Sequence, residues 1–209
     1  MSKLIVLTGK TASGKDTIMA KLLARFPQFK RVVTTTSRTL RNGEANGVDY
    51  NFISKADFKQ KAEKGDFIEW VEYGGNLYGT EKAQITDSLD QDLIWRIDPS
   101  RAGQIRQFIK NSFPPELAED LLKRTLVIYL TVDDNVILDR LNKRGLTEEE
   151  IRKRMQEDRE FWQEYQNCYD FVIENVPGRL DETVDQIAEV IQNHHSKASC
   201  HSRLDLEST

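Results

Sequence analysis

The fold of this chain is decided by the stretch Leu4-Ile5-Val6-Leu7-Thr8-Gly9-Lys10-Thr11-Ala12-Ser13-Gly14-Lys15-Asp16-Thr17. An apolar run leads into a glycine-bounded loop that ends in a lysine, and an amphipathic segment from Ile18 to Phe26 follows. Glycines permit backbone angles that let consecutive amides turn onto phosphate oxygens, and the N-terminus of the next helix adds the positive end of its dipole. The stretch therefore predicts a strand, a phosphate-binding loop and a helix, in that order.

The loop fits the template G-x-x-x-x-G-K-[ST] at three of its four defined positions. Lys15 is placed to reach the outer phosphates of a nucleotide. The fourth position, where a hydroxyl usually holds magnesium, is Asp16. A carboxylate oxygen is also a good magnesium ligand, directly or through water, so Asp16 remains the candidate metal ligand.

Bulk composition limits the kind of protein. The chain has 209 residues and a net charge of -4, with acids and bases interleaved, which gives no reason to expect nucleic-acid binding. Two distant cysteines, Cys168 and Cys200, argue against a disulfide framework. No apolar run is long enough for a membrane span, and the N-terminus lacks a signal-peptide pattern. We expect a cytoplasmic protein, monomeric or homodimeric.

Strand-like and helix-like segments alternate along the chain. The predicted strands are Leu4–Leu7, Leu93–Ile97, Leu126–Leu130 and Phe171–Ile173, and the predicted helices are Ile18–Phe26, Ala102–Asn111, Glu116–Lys123, Val136–Lys143, Glu148–Gln166 and Leu180–Gln192. This alternation predicts an α/β fold, a three-layer arrangement in which helices cover both faces of a parallel sheet. Ligands are then expected at the carboxyl ends of the strands, where the loop lies.

Two regions interrupt the alternation. Residues 34–81 are polar and rich in turns, which predicts an inserted small α/β subdomain with hairpins. Residues 134–153 contain the charged Arg144-Gly145 segment and suit a mobile lid. The remaining segments, 1–33, 82–133 and 154–193, form the predicted core.

Residues 194–209 are polar and lack periodicity, which predicts a disordered tail. Its His194, His195, Cys200 and His201 match no zinc-site spacing, so we expect no metal there.

Several motifs in the same order resemble the guanylate kinase family over nearly the whole chain through Gln192. They are the Gly9 loop, Thr35-Thr36-Ser37-Arg38-x-x-Arg41-x-Gly43-Glu44-x-x-Gly47-x-Asp49-Tyr50-x-Phe52, Phe67-Ile68-Glu69-Trp70 and Gly75-Asn76-x-Tyr78-Gly79-Thr80. The resemblance implies a P-loop nucleotide kinase, with a core, a nucleoside-monophosphate subdomain and a lid, that transfers the γ-phosphate of ATP to GMP or dGMP with magnesium.

The acceptor site implied by the resemblance agrees with the chemistry of its residues. One carboxylate can accept from both N1–H and the N2 amino group of guanine, and Glu69 is the candidate. Arginine forks and phenolic hydroxyls suit the acceptor phosphate. By resemblance the GMP-binding residues are Thr34, Arg38, Arg41, Tyr50, Glu69, Tyr78, Thr80 and Asp98, with Asp98 at the amino edge of the base.

The donor site is implied in the same way. The expected ATP-binding residues are Gly9, Lys10, Thr11, Ala12, Ser13, Gly14, Lys15, Asp16, Thr17, Arg140, Arg144 and Asn175. Asn175 resembles the residue near the donor adenine, and Arg140 either binds the donor or supports the fold. Phosphoryl transfer depends on alignment and charge neutralisation. The resemblance implies that the catalytic cations are Lys15, Arg38, Arg144 and Arg154, of which Arg144 and Arg154 match the family's lid and post-lid arginines.

Two positions depart from the family pattern. Asp16 replaces the hydroxyl, and Arg96 stands where the first acid of an acid-x-acid pair ending at Asp98 is usual. Gly14-Lys15-Asp16 and Ser100-Arg101-Ala102 instead resemble ribose 1,5-bisphosphate phosphokinase, a relative on the same scaffold. Two alternatives stay open at this point: a kinase for such a sugar phosphate, and a guanylate-kinase-like binding module with weak catalysis.

Overall fold

A computed structural model describes residues 2–73 and 75–194. Its central sheet is parallel and has the strand order β2-β7-β1-β8-β9. The bounds of these strands are β1 Leu4–Gly9, β2 Phe29–Arg31, β7 Asp92–Arg96, β8 Thr125–Thr131 and β9 Phe171–Glu174. All six residues of β1 are buried, as expected for a strand covered on both faces.

Helices cover both faces of this sheet. Those of the core and its connections are α1 Lys15–Arg25, α3 Ala83–Thr86, α4 Pro99–Gly103, α5 Ile105–Ser112, α6 Pro115–Arg124, α7 Asp134–Lys143, α8 Glu148–Tyr165 and α9 Leu180–Asn193, and a 3-10 turn spans Gln166–Cys168. One apolar cluster, which includes Leu22 and Ile187, packs α1 and α9 against one face. A second cluster, which includes Trp95 and Leu121, fills the opposite face. The α/β fold class expected from the sequence is confirmed.

Helix boundaries follow local chemistry. Pro115 occupies the first turn of α6, where its missing amide hydrogen costs nothing. Thr147 and Glu150 form a capping box at the start of α8, in which Glu150 N–H donates to the threonine hydroxyl at 3.3 Å and Thr147 N–H donates to the glutamate at 2.8 Å. This cap holds α8 as a separate helix directly after α7.

The inserted segment forms its own sheet, in the order β4-β3-β6-β5. The elements are β3 Thr35–Thr36, β4 Asn51–Phe52, β5 Phe67–Tyr73 and β6 Asn76–Glu81, with helix α2 Lys55–Glu63. β5 and β6 form the antiparallel hairpin that the turn-rich sequence predicts. The indole N–H of Trp95 in β7 donates to the Thr80 hydroxyl in β6 at 3.0 Å, so a buried hydrogen bond joins this sheet to the core.

The structure differs from the sequence expectations in two elements. β2 was not predicted, because it is a three-residue edge strand with only Phe29 buried. The helix predicted from Ala102 to Asn111 is two helices, α4 and α5, separated at Gln104. The predicted tail falls almost entirely on residues 195–209, which lie outside the described residues, as do His195, Cys200 and His201.

Among the described residues, no helix is long and apolar enough to span a membrane. Within the same part of the chain, no group of three or more metal-ligating side chains is found. Cys168 is a free thiol.

Candidate active site

The loop from Gly9 to Gly14 lies at the carboxyl end of β1, between β7 and β8. Gly9 has φ 143°, and a Cβ there would lie 2.1 Å from the Leu130 carbonyl oxygen, so only glycine fits. The helix α1 begins at Lys15 without a side-chain cap. Its N-terminal amides therefore remain available for an anion.

Lys15 lies inside the loop. Its ammonium donates to the carbonyl oxygens of Gly9 at 2.8 Å and Lys10 at 2.7 Å. Burial, followed by the nearby Arg96 cation, lowers the pKa of Lys15 to about 8. The lysine is thus held by two neutral acceptors in a site that favours an additional negative charge.

Asp158, a residue of α8 that sequence reasoning did not select, accepts a hydrogen bond from the Thr11 amide at 2.8 Å. Asp158 is buried, and burial raises the pKa of its carboxyl group. No sequence pattern separates this acid from the many others of α8, because only the fold places it beneath the loop.

The remaining loop contacts tie it to neighbouring helices and strands. The Asn175 amide donates to the Ser13 carbonyl at 2.8 Å, and the Arg140 guanidinium donates to the Ala12 carbonyl at 2.6 Å. Lys10 turns its ammonium to Asp134 in α7, at 2.7 Å. These contacts fix the loop from the side opposite β7.

A cavity of about 280 Å³ opens beside the loop. Its lining brings together six of the predicted ATP-binding residues, which are Ala12, Gly14, Thr17, Arg140, Arg144 and Asn175. Arg144 is exposed at the end of α7, and Arg154 lies in α8 outside this lining. A cavity of about 300 Å³ on the other side of the loop, between α7, α8 and β9, includes only Lys10 of the predicted residues.

A buried carboxylate lies in the inserted sheet. Glu69 is only 6% exposed, and its Oε1 accepts from the Thr80 hydroxyl at 2.8 Å. Burial raises the pKa of Glu69 to about 7, against the opposing effect of that hydrogen bond. Thr80 in turn accepts from Trp95, so an indole, a hydroxyl and a carboxylate form a chain of defined polarity.

Asp98 follows β7 and caps α4. Its Oδ1 accepts from the Ser100 amide at 3.0 Å and the Arg101 amide at 3.2 Å. Its negative charge is one of the causes that raise the pKa of Glu69, which places both predicted base-contacting acids in the same electrostatic environment. Thr34, half-buried, directly precedes β3.

A cluster of aromatic and cationic side chains lies on the same inserted sheet. Arg38 is 8% exposed and forms a two-pronged ion pair with Glu44, at 3.0 and 2.7 Å. Its guanidinium lies 5.5 Å from the ring centre of Tyr50, and the rings of Tyr50 and Tyr78 are 6.2 Å apart. The predicted phosphate-binding residues Arg38, Tyr50 and Tyr78 are therefore neighbours.

Glu44 organises this cluster. Its carboxylate also accepts from the Arg41 amide at 2.8 Å, while the Arg41 side chain is exposed. The hydrogen bonds from Arg38 and from the Arg41 amide lower the pKa of Glu44 to about 2. Glu44 belongs to the quoted sequence motif, but its partner could not be read from the motif alone.

Comparison with known proteins agrees with this arrangement of residues. The guanylate kinase family model matches residues 1–194. The chain belongs to the guanylate kinase family.

Individual guanylate kinases match this chain over most of their own length. A guanylate kinase of Syntrophus aciditrophicus is 34% identical over 202 residues, which cover 93% of this chain and 88% of the relative. A guanylate kinase of Carboxydothermus hydrogenoformans is 34% identical over 193 residues, which cover 90% of this chain and 86% of the relative. The crystal structure of guanylate kinase from Anaplasma phagocytophilum superposes on this chain with a TM-score of 0.65 at 23% identity. The match covers 94% of this chain and 87% of the crystallised chain, and it supports the fold.

Proposed function

We propose that this chain transfers the γ-phosphoryl group of ATP to GMP or dGMP, giving ADP and the guanosine diphosphate. The observation that carries this proposal is Glu69, a buried carboxyl group of the inserted sheet that accepts from the Thr80 hydroxyl. Burial disfavours the charged form of this group, so additional donors from a ligand would stabilise the carboxylate. The adjacent N1–H and N2 amino group of guanine supply two.

The neighbouring side chains support the acceptor assignment. Arg38, Arg41, Tyr50 and Tyr78 would bind the acceptor phosphate, since guanidinium and phenol groups donate hydrogen bonds to its oxygens. Thr34, Thr80 and Asp98 would line the base site. Adenine would place a ring nitrogen acceptor against Glu69, and such an unpaired contact discriminates strongly.

The donor nucleotide would lie on the phosphate loop. Loop amides from Gly9 to Thr17 and the Lys15 ammonium would hold the phosphates, and the cavity lined by Arg140, Arg144 and Asn175 would receive the rest of ATP. An oxygen of the GMP phosphate forms a bond to the γ-phosphorus, while the β–γ bridging bond breaks and its electron pair leaves on ADP. Lys15, Arg38, Arg144 and Arg154 would stabilise the charge that develops.

Magnesium is the expected cofactor of this reaction, and the residues present fit it. Asp16 offers a carboxylate that is 75% exposed at the loop end, with its Oδ1 3.0 Å from Nε of Arg96. An ion held chiefly by nucleotide phosphates and water needs few protein ligands. When bound, magnesium neutralises charge on the donor phosphates.

The division into a core, a monophosphate subdomain at residues 34–81 and a lid at residues 134–153 belongs to the same proposal. Closure of the lid would bring Arg144 and Arg154 to the donor and exclude water. A reducing, cytoplasmic location suits a chain with two isolated cysteines.

A coupled assay of ADP release tests the function. With ATP and magnesium, we expect turnover of GMP and dGMP and little turnover of AMP, CMP or UMP. Turnover of ribose 1,5-bisphosphate without turnover of GMP would assign the sugar-phosphate kinase instead. GMP binding by calorimetry without any turnover would assign a binding module.

A further inference from the structure

Arg96 joins the two halves of the candidate site. Its Nε lies 3.0 Å from Oδ1 of Asp16, at the end of the phosphate loop. Its Nη2 donates to the Tyr50 hydroxyl at 2.9 Å, in the inserted sheet. One guanidinium therefore bridges the loop of the donor site and the tyrosine of the acceptor site.

The fold makes this bridge possible. Arg96 is the last residue of β7 and stands in register with Leu7 of β1, two residues before Gly9. The neighbouring Trp95 holds the inserted sheet through Thr80. The two departures from the family pattern, Asp16 and Arg96, thus form an ion pair with each other.

Hydrogen-bond polarity at Tyr50 gives the bridge a chemical consequence. A guanidinium carries donors and no acceptor. The Tyr50 oxygen must therefore accept from Arg96, which directs its own O–H hydrogen to another acceptor. An oxygen of the acceptor phosphate is such a group, and the polarised phenol is a better donor to it.

A similar restriction applies at Asp16. Arg96 pairs with Oδ1 of Asp16, and the Asp16 side chain is 75% exposed. The ion pair holds the carboxylate at the loop end, and its exposure leaves it accessible to water or a metal ion.

We propose that Arg96 is a positioning residue that links the two phosphate sites: it orients the Tyr50 hydroxyl toward the acceptor phosphate and holds Asp16 at the loop end. This inference rests on the proposed function. It predicts that a change at Asp16, on the donor side, alters binding of the acceptor in the absence of the donor. Removal of the Asp16 charge by itself would strengthen binding of the anionic acceptor. Loss of the positioning by Arg96 would weaken it, so the two explanations predict opposite changes in the GMP dissociation constant.

The first test is a double-mutant cycle between Arg96 and Tyr50. Calorimetry measures the GMP dissociation constant of Arg96→Met, Tyr50→Phe and the double variant, without ATP or magnesium. We expect each single change to weaken GMP binding about tenfold, or about 1.4 kcal/mol, and the double variant to be little weaker than either. If the loss of GMP affinity in the double variant equalled the product of the two single losses, the positioning role of Arg96 would be overturned.

The second test uses Asp16→Asn, which keeps the shape of the side chain and weakens its pairing with Arg96. We expect GMP binding about threefold weaker, and no further loss when Asp16→Asn is combined with Arg96→Met. Unchanged or tighter GMP binding in Asp16→Asn would overturn the link to the donor loop.

A matched control is Arg25→Met, which removes an arginine paired with Asp185 between α1 and α9. We expect its GMP affinity and kcat to equal those of the wild type, and thermal unfolding verifies that all variants are folded. Failure of the wild-type protein to bind GMP would reject the proposed function, whereas wild-type binding with additive or absent mutant effects rejects only the role of Arg96.

Discussion

Replacement of the buried carboxylate by Glu69→Gln should change the stability of the fold and the recognition of GMP in opposite directions. Burial raises the pKa of Glu69 from 4.5 to about 7. A folded-state pKa above the unfolded one means that the folded protein binds this proton more tightly. The free energy of unfolding of the wild type should therefore fall as the pH rises from about 4.5 to about 7, and then level off.

The size of this effect follows from the shift. One pKa unit corresponds to about 1.4 kcal/mol, so a shift of about 2.5 units gives on the order of 3 kcal/mol. The variant has no proton to lose at this position. The stability of Glu69→Gln relative to wild type should thus improve by about that amount between pH 4.5 and pH 8. Any constant cost of burying an amide cancels in the comparison across pH.

Recognition should suffer at the same time. Hydrogen bonds to a charged group contribute about 1.5 to 3 kcal/mol each, and the amide of the variant would place a donor against a guanine donor. We expect the KM for GMP to rise about a hundredfold, or about 3 kcal/mol. ATP affinity should stay near that of the wild type, because Glu69 lies in the inserted sheet.

Urea unfolding at several pH values and steady-state kinetics measure the two effects. Glu72→Gln is the matched control, since Glu72 lies on the same strand but is exposed and pairs with Lys55 at 3.3 Å. A stability difference that does not change with pH would refute the raised pKa. Equal loss of GMP and ATP affinity would indicate a folding defect and refute the assigned role of the carboxylate.

Three further predictions concern the loop and the base site. Because the pKa of Lys15 is lowered to about 8, the free protein loses this positive charge at higher pH. Calorimetry should therefore show that the affinity for ATP falls above about pH 8. The variant Lys15→Met should abolish this pH dependence. Thr80→Val removes the donor to Glu69, so the KM for GMP in steady-state assays should rise about tenfold, with Thr80→Ser close to wild type. Gly9→Ala places a Cβ 2.1 Å from the Leu130 carbonyl oxygen. Denaturant unfolding should show that the free energy of unfolding falls by more than about 2 kcal/mol. An unfolding midpoint equal to that of the wild type would contradict this packing.

The parts of the fold that the sequence predicts are those governed by local pattern. The buried run before Gly9, the loop and the helix after it form a continuous signal, and the hairpin of β5 and β6 follows from turn residues. β2 escaped prediction because an edge strand of three residues has no periodicity to detect. The break between α4 and α5 lies next to Gly103, where a Cβ would lie 2.3 Å from the Tyr165 ring, and this long-range contact cannot be read from the local sequence pattern.

In the candidate site, too, local sequence motifs predict some residues, whereas contacts between distant segments could not be predicted. Motif resemblance could select Glu69 and Arg38, because their chemistry is carried by single residues at fixed spacing. It could not reveal that Asp158 accepts from the Thr11 amide, or that Arg96 pairs with Asp16, because these partners are far apart in sequence. Such pairings are decided by which strands and helices become neighbours.

The internal hydrogen bonds of the phosphate loop have a consequence for the turnover cycle. The Lys15 ammonium and the Thr11 amide both have protein acceptors within the fold. An incoming phosphate therefore exchanges one set of acceptors for another, and only the difference between them contributes to binding. If a nucleotide binds the loop as proposed, the carbonyl groups and Asp158 would replace its phosphates as acceptors when it leaves, which would lower the cost of product release.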